Sequence, residues 1–232
     1  MALFSEFVLT HLVWDWNGTL LDDLQIVVES VSVSIATLGA RPIRADDYRD
    51  HYTRPVRNFY VSLLGREISD EEWLRLDTAF HDEYFRRAEN VDLAPDALQA
   101  MDLLDGRGWT QSLLSMSPQN WLDGIVARLG IADRFLRVDG MVKMTGGLKA
   151  AYLEDHLRHI GIPGKSTVVV GDTPDDVAAA RHVGATPILF HGGSHHLEVL
   201  EGEGVPIAET LVDAVDMAFA RASDASSPIE PA

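Results

Sequence analysis

Short apolar runs alternating with stretches of helical periodicity limit what this chain can fold into. His11 to Trp14, Gln111 to Leu114, Thr167 to Val170 and Thr186 to Phe190 each end at a polar or glycine-containing turn, as buried strands do. Helical patterns sit between them over Pro118 to Leu129, Lys149 to Ile160 and Pro174 to Val183. That alternation predicts βαβ units wound around a parallel sheet, with ligands at the C-terminal strand ends.

Between the first two runs lies a region of another kind. From about Leu21 to Val91 the patterns are almost wholly helical: Leu24, Val27, Val28, Val31, Ile35 and Leu38 keep helical spacing up to Gly39, and Ser69 with Glu72 makes a capping box for a helix running towards Arg87. The expected division is a core over residues 1–20 and 92–221, an inserted all-helical cap over 21–91, and a Ser-, Pro- and Ala-rich tail over 222–232 expected to be disordered. An insert at that point would sit over the C-terminal edge of the sheet.

Composition narrows the partners. With 36 acidic against 19 basic residues and a net charge of −17, the electrostatic footprint of a nucleic-acid or anionic-membrane binder is missing. A small ligand is expected instead. The absence of cysteine rules out disulfides, thiolate zinc sites and a cysteine nucleophile, and fits a reducing cytoplasm. No apolar run reaches membrane-spanning length and the N-terminus has no signal-peptide pattern, so a soluble cytoplasmic protein is expected.

Four segments at strand ends or helix starts carry the candidate chemistry. Asp15-Trp16-Asn17-Gly18-Thr19 puts a carboxylate where a strand ends beside a glycine, suited to a metal ligand, to a nucleophile forming an acyl-phosphate, or simply to a turn. Ser115 ends the second apolar run, where a hydroxyl can hold a phosphate oxygen or cap a helix; Ser117-Pro118 offers the better cap, with proline at the first helical position. Lys149 lies in the first turn of a helix, a placement that opposes the macrodipole and so suggests another requirement, although a solvated surface lysine explains it equally; Lys143 competes with it. In Gly171-Asp172-Thr173-Pro174-Asp175-Asp176, capping accounts for part of the acidity but not for Asp172, and a second carboxylate four residues on suits a hard divalent cation.

In order and in strand context, these four segments resemble the motifs of the haloacid dehalogenase superfamily, from His11 to about Ala218. The resemblance implies a Rossmann-like parallel α/β core with a helical cap, similar to the phosphoglycolate phosphatase and phosphoglucomutase group. It implies Asp15 as nucleophile, Ser115 and Lys149 as phosphate binders, and Mg²⁺ held by Asp15, Asp172, Asp176 and the backbone carbonyl of Asn17. Thr19 and Met116 join the expected substrate-binding set. The implied activity is hydrolysis of a small phosphorylated metabolite through an aspartyl-phosphate, by a monomer or homodimer. Phosphoglycolate is the substrate that the group suggests.

Asn17 departs from the pattern. Family phosphatases carry an aspartate there, which moves two protons per turnover, and an amide cannot do so. Three readings follow: a phosphatase using another base or a good leaving group, a slow hydrolase kept for binding or regulation, and a 2-haloacid dehalogenase, which needs neither acid nor metal. Asn17→Asp is expected to raise phosphate release.

The cap offers two cations. In Tyr52-Thr53-Arg54-Pro55-Val56-Arg57, Arg54 is biased to extended backbone by Pro55, and Arg57 falls in the first turn of a helix. Either can bind a substrate carboxylate or second phosphate, or pair with acids such as Asp47 or Asp50. His191, His195 and His196 are expected at the rim of the site rather than on a metal, and Trp14 and Trp16 as packing around Asp15.

Overall fold

A computed structural model describes residues 10–142 and 148–225. Six parallel strands form one sheet: β1 His11–Trp14, β2 Thr110–Pro118, β3 Val138–Met141, β4 Thr167–Gly171, β5 Thr186–Phe190 and β6 Ile207–Ala208, in the order β3-β2-β1-β4-β5-β6. The chain therefore reverses its winding direction at β1, and the crevice past that strand's C-terminal end is where an open α/β sheet binds ligands. β3 and β6 go beyond the four predicted strands. Neither has an uninterrupted apolar run, since β3 contains Asp139 and Gly140 and β6 is two residues long.

After β1 come α1 Leu24–Ala36, α2 Ala45–His51, α3 Val56–Leu64 and α4 Asp70–Ala88; α5 Ala97–Gly106 then leads into β2. The later helices are α6 Gln119–Arg128, α7 Lys149–Ile160, α8 Pro174–Val183, α9 Leu197–Glu201 and α10 Leu211–Ala225. The first four enclose an apolar cluster of their own that includes Val31, Ile35, Phe59 and Leu76. Ser69 opens α4 as expected: its side chain accepts from the Glu72 N–H, and the Glu72 carboxylate accepts from the Ser69 N–H at 2.9 Å. Two crossing segments join this unit to the sheet, with Asp22 N–H donating to the Asp92 carbonyl at 3.2 Å and Ala94 N–H to that of Leu20 at 2.8 Å.

The strands alternate between two cores. Leu12 and Trp14 of β1 face the larger cluster, with Trp16 beyond the strand end, whereas Val13 faces the cluster under α7 and α8. Trp14 and Trp16 are both fully buried there, and neither lines the site. A polar chain runs through the interior: His11 Nε2 lies 2.8 Å from Ser112 Oγ, which lies 2.7 Å from His156 Nε2, and His156 Nδ1 lies 2.7 Å from Asp139 Oδ2.

The expected tail is shorter at its start than its composition suggested. α10 extends through Ala225, because Phe219 and Ala218 pack on the core and carry the helix on. The remaining tail residues, like Lys143, lie outside the described residues. No helix among the described residues is long and apolar enough to cross a membrane.

Candidate active site

Asp15 stands at the point where the sheet reverses. Its N–H donates to the Val170 carbonyl of β4 at 2.8 Å, which fixes the first residue past β1 against the neighbouring strand. The chain then turns back, with Thr19 N–H and Leu21 N–H both donating to the Trp16 carbonyl at 3.2 and 2.9 Å. Gly18 adopts φ 69°, the left-handed region open to glycine at no steric cost. It is also held close to Asp172: a Cβ at Gly18 would come within 2.6 Å of Asp172 Oδ2, and one at Gly193 within 2.0 Å. Two glycines thus form a cradle that only backbone can fill, and Ser194 N–H donates to the same oxygen at 2.7 Å.

Three carboxylates and one ammonium share the centre. Asp15, Asp172 and Asp176 each offer an oxygen within 4.8 Å of the others. Lys149 Nζ, buried, donates to Asp15 Oδ1 and to Asp176 Oδ1, the latter at 2.5 Å. Asp176 has a second function as the third-position partner of Thr173 in the capping box of α8: its Oδ2 accepts from Thr173 N–H at 3.1 Å and from Thr173 Oγ1 at 2.6 Å. Capping and site geometry are one arrangement here. The Lys149 N–H, which has no partner within the first turn of α7, donates to Asp175 Oδ2 at 3.2 Å, which ties α7 to α8.

The charges do not balance. Burial pushes the Asp15 carboxyl up to about 6, helped by Asp176 and opposed by Lys149. Asp172 is raised well above the ordinary carboxylate range by burial and by the charges of Asp15 and Asp176. Burial works the same way on Asp176, but Lys149 and the Thr173 hydrogen bonds outweigh it and hold it below. A lone ammonium among three buried carboxylates leaves room for further positive charge. An all-oxygen donor set around a glycine cradle suits a hard divalent cation of the Mg²⁺ type.

Asn17 is held on every side. Its Nδ2 donates to Asp23 Oδ2 and to Tyr84 Oη, both at 2.7 Å, and its Oδ1 accepts from Ser117 Oγ at 2.8 Å. Tyr84, on α4, donates in turn to Asp23 Oδ2 at 2.6 Å, and Gly18 N–H to Asp23 Oδ1 at 2.8 Å. Burial raises the Asp23 carboxyl above its usual range against these donors. Sequence reasoning missed Asp23, Tyr84 and Ser117. The consecutive acids Asp22-Asp23 just before α1 were the available signal for the first, while nothing local marks Tyr84, which reaches the site from 67 residues away.

A cavity of about 560 Å³ brings Asp15, Asn17, Met116, Lys149, Asp172 and Asp176 together with Arg54 and Arg57 of the cap. Thr19 and Ser115 lie just behind it. Both are about 1 % exposed; Thr19 Oγ1 is 3.5 Å from Asp15 Oδ2, and Ser115 Oγ accepts from Ser117 N–H at 3.0 Å. The helix after β2 also begins differently from expectation. Pro118 occupies the N-cap of α6 instead of the first helical position, because β2 continues through it. Ser117 consequently turns its hydroxyl to Asn17 rather than capping the helix. The two arginines part company: Arg57 pairs with Asp70 at 2.7 Å, not with Asp47 or Asp50, and donates to the Ile68 carbonyl at 2.8 Å. Arg54 has no ion-pair partner among the described residues, and Tyr52, Asp175, Asp15 and Asp176 keep it firmly charged.

The histidine loop meets the cap. His195 packs its ring on Tyr52 with centroids 5.3 Å apart, His196 Nε2 lies 3.0 Å from Asp50 Oδ1, and Arg49 Nε donates to the Gly193 carbonyl at 3.2 Å.

The chain is similar to known proteins over most of its length. A phosphoglycolate phosphatase from Vibrio vulnificus is 24 % identical over 228 residues, covering 90 % of this chain and 96 % of its own length. One from Chromobacterium violaceum is 24 % identical over 190 residues, covering 78 % and 84 %. Among solved structures, a predicted phosphatase from Clostridium acetobutylicum superposes with a TM-score of 0.80 at 15 % identity, covering 92 % of this chain and 99 % of the other. The sequence profile of haloacid dehalogenase-like hydrolases matches residues 9–184, which span all four motif segments. The chain belongs to the haloacid dehalogenase-like hydrolases.

Proposed function

We propose that this protein is a Mg²⁺-dependent phosphatase that hydrolyses a small phosphomonoester in the cytoplasm, with Asp15 as the nucleophile. The observation that carries this reading is the Lys149 ammonium bridging Asp15 and Asp176 beside Asp172. A nucleophilic carboxylate must approach a phosphate dianion, and the barrier is largely electrostatic. Lys149 offsets that repulsion from one side while fixing which Asp15 oxygen stays free to attack. Asp15, Asp172, Asp176 and the Asn17 carbonyl would hold Mg²⁺, which supplies charge neutralisation for the transferring group.

The remaining steps fall to the chain's own groups. Asp15 attacks phosphorus as the ester P–O bond breaks and the departing alkoxide takes a proton from solvent water; a second water then cleaves the aspartyl-phosphate, gives up its proton to solvent, and frees inorganic phosphate and the Asp15 carboxylate. Ser115 supports the backbone at Ser117 beneath the phosphate position, and Arg54, hydrogen-bonded to Tyr52, supplies a cation for the transferring phosphate or a second anionic group. Asn17, its hydrogen-bonding groups already engaged, orients Tyr84 and Ser117 and moves no proton. The relatives named above make phosphoglycolate the first substrate to try.

Phosphate release from a panel of phosphomonoesters, with and without EDTA, tests the reading. Release is expected with Mg²⁺ and not with Asp15→Asn. Metal-independent halide release from a 2-haloacid would overturn it in favour of a dehalogenase.

A further inference from the structure

The cavity that contains Asp15 continues into the cap, and its far part has no function in phosphate chemistry. α4 lines it with Trp73, Phe80 and Tyr84, which lie on one face at helical spacing. α1, packed on α4, adds Leu24, Val27 and Val31 to the lining, again at helical spacing. Tyr84 touches Asn17. Trp73 is eleven residues earlier on the same helix, which places it about 16 Å from Tyr84 at 1.5 Å per residue. The chamber is thus long, and most of its wall is apolar or aromatic. Its total volume of about 560 Å³ is about twice what a two-carbon phosphate ester needs even at the roughly 30 Å³ per non-hydrogen atom of liquid water.

Apolar walls of this kind gain by covering an apolar group and gain nothing from a carboxylate. The wall is also ordered: the Phe80 and Tyr84 rings stack with centroids 5.6 Å apart and planes at 12°. A flat ring can insert against such a face at little conformational cost. Asp77 and His81, linked by a 2.8 Å contact between His81 Nδ1 and the Asp77 carbonyl, supply polar edges on the same stretch of α4.

We propose that the substrate is a phosphomonoester whose alcohol carries an aromatic ring, with the phosphate at Asp15 and the ring against the apolar residues that α1 and α4 present to the cavity. This rests on the phosphatase reading above. The test compares 2-phenylethyl phosphate with ethyl phosphate and phosphoglycolate under Mg²⁺, because the two alkyl esters have similar leaving groups and differ in the ring. The expected kcat/KM is at least tenfold higher for the phenylethyl ester, and both Phe80→Ala and the space-filling Val27→Trp reduce that ratio towards one. Equal or better turnover of ethyl phosphate or phosphoglycolate overturns the proposal. Calorimetric titration with 2-phenylethylphosphonate and ethylphosphonate separates this from failure of the phosphatase reading. If no ester is cleaved, that reading falls, and the chamber stands only if the phenylethyl compound binds at least tenfold more tightly than the ethyl one.

Discussion

The side-chain amide of Asn17 donates to the buried Asp23 carboxylate, Nδ2 to Oδ2, at 2.7 Å, and both residues bond the hydroxyl of Tyr84. An aspartate at position 17 would turn this contact into two carboxylates sharing a buried site, and it would lose the amide's two donated bonds. Asn17 and Asp23 are therefore matched, and neither can be changed alone without consequence.

This matching alters what Asn17→Asp should do. The single variant is expected to lose about 1–3 kcal/mol of stability at neutral pH, the cost of leaving buried polar groups unsatisfied, and to gain little activity. Asn17→Asp with Asp23→Asn restores one acid and one amide, so it should recover most of the lost stability and release phosphate faster than the single variant. Urea denaturation and phosphate release on all four members of the cycle check this; additive effects of the two substitutions would contradict it.

Lys149 is the sole ammonium among three buried carboxylates, so its removal should be costly in two ways. Lys149→Met is expected to destabilise the metal-free protein by about 3–5 kcal/mol, the usual cost of leaving a buried partner uncompensated. Phosphate release should fall about 10²–10³-fold. Melting in EDTA and initial rates in Mg²⁺ measure the two effects.

Asp172 should respond in the opposite sense without metal. Because burial and the neighbouring charges of Asp15 and Asp176 hold its carboxyl well above the ordinary range, Asp172→Asn is expected to raise the melting temperature in EDTA. Native protein should gain about 2.7 kcal/mol when Mg²⁺ is at a hundred times its Kd, and the variant should gain much less. A melting series in EDTA and in Mg²⁺ for both proteins reads this directly.

The interior histidine chain predicts a pH dependence far from the chemistry. Burial, with His156 nearby, lowers His11 from 6.5 to about 4. The folded state keeps the ring neutral while the unfolded chain takes a proton below pH 6.5. The His11 contribution is therefore intact above pH 6.5, declines as pH falls, and is fully lost below about 4, for a difference of at most about 3 kcal/mol. Relative to the native chain, His11→Gln should show a shallower loss of stability from pH 7 to 4 in urea titrations.

Much of the fold could be read from local sequence because the central strands are buried on both faces. A strand covered twice, like Val168-Val169-Val170, needs no polar alternation and stands out as an apolar run. β3 carries Asp139, which accepts from its neighbour Arg137 and meets His156 of α7, so no local apolar signal marks the strand. The site divides similarly. Asp15 and Asp172 stand at strand ends and Lys149 in a helix first turn, where an ionisable residue conflicts with its local setting and so attracts notice, whereas Asp176 suits its first turn as a capping acid and draws notice only through its spacing from Asp172. Tyr84 and Ser117 reach Asn17 from 67 and 100 residues away, brought there by the packing of α4 over the site and by the pairing of β2 with β1, and Asp23 lies six residues from Asn17 with only its acidity as a local mark. The fate of Arg57 was likewise open, since Asp70 and Asp47 are equally plausible acids until α3 and α4 are placed.

In the proposed reaction Asp15 carries the phosphoryl group during turnover. Protein quenched in acid while turning over acetyl phosphate with Mg²⁺, then reduced with borohydride, converts an aspartyl-phosphate to homoserine that peptide mapping can locate. Homoserine is expected at position 15 alone, absent when EDTA is present and absent in Asp15→Asn. Phosphate release without any mark at position 15, or with the mark on another carboxylate, would contradict it.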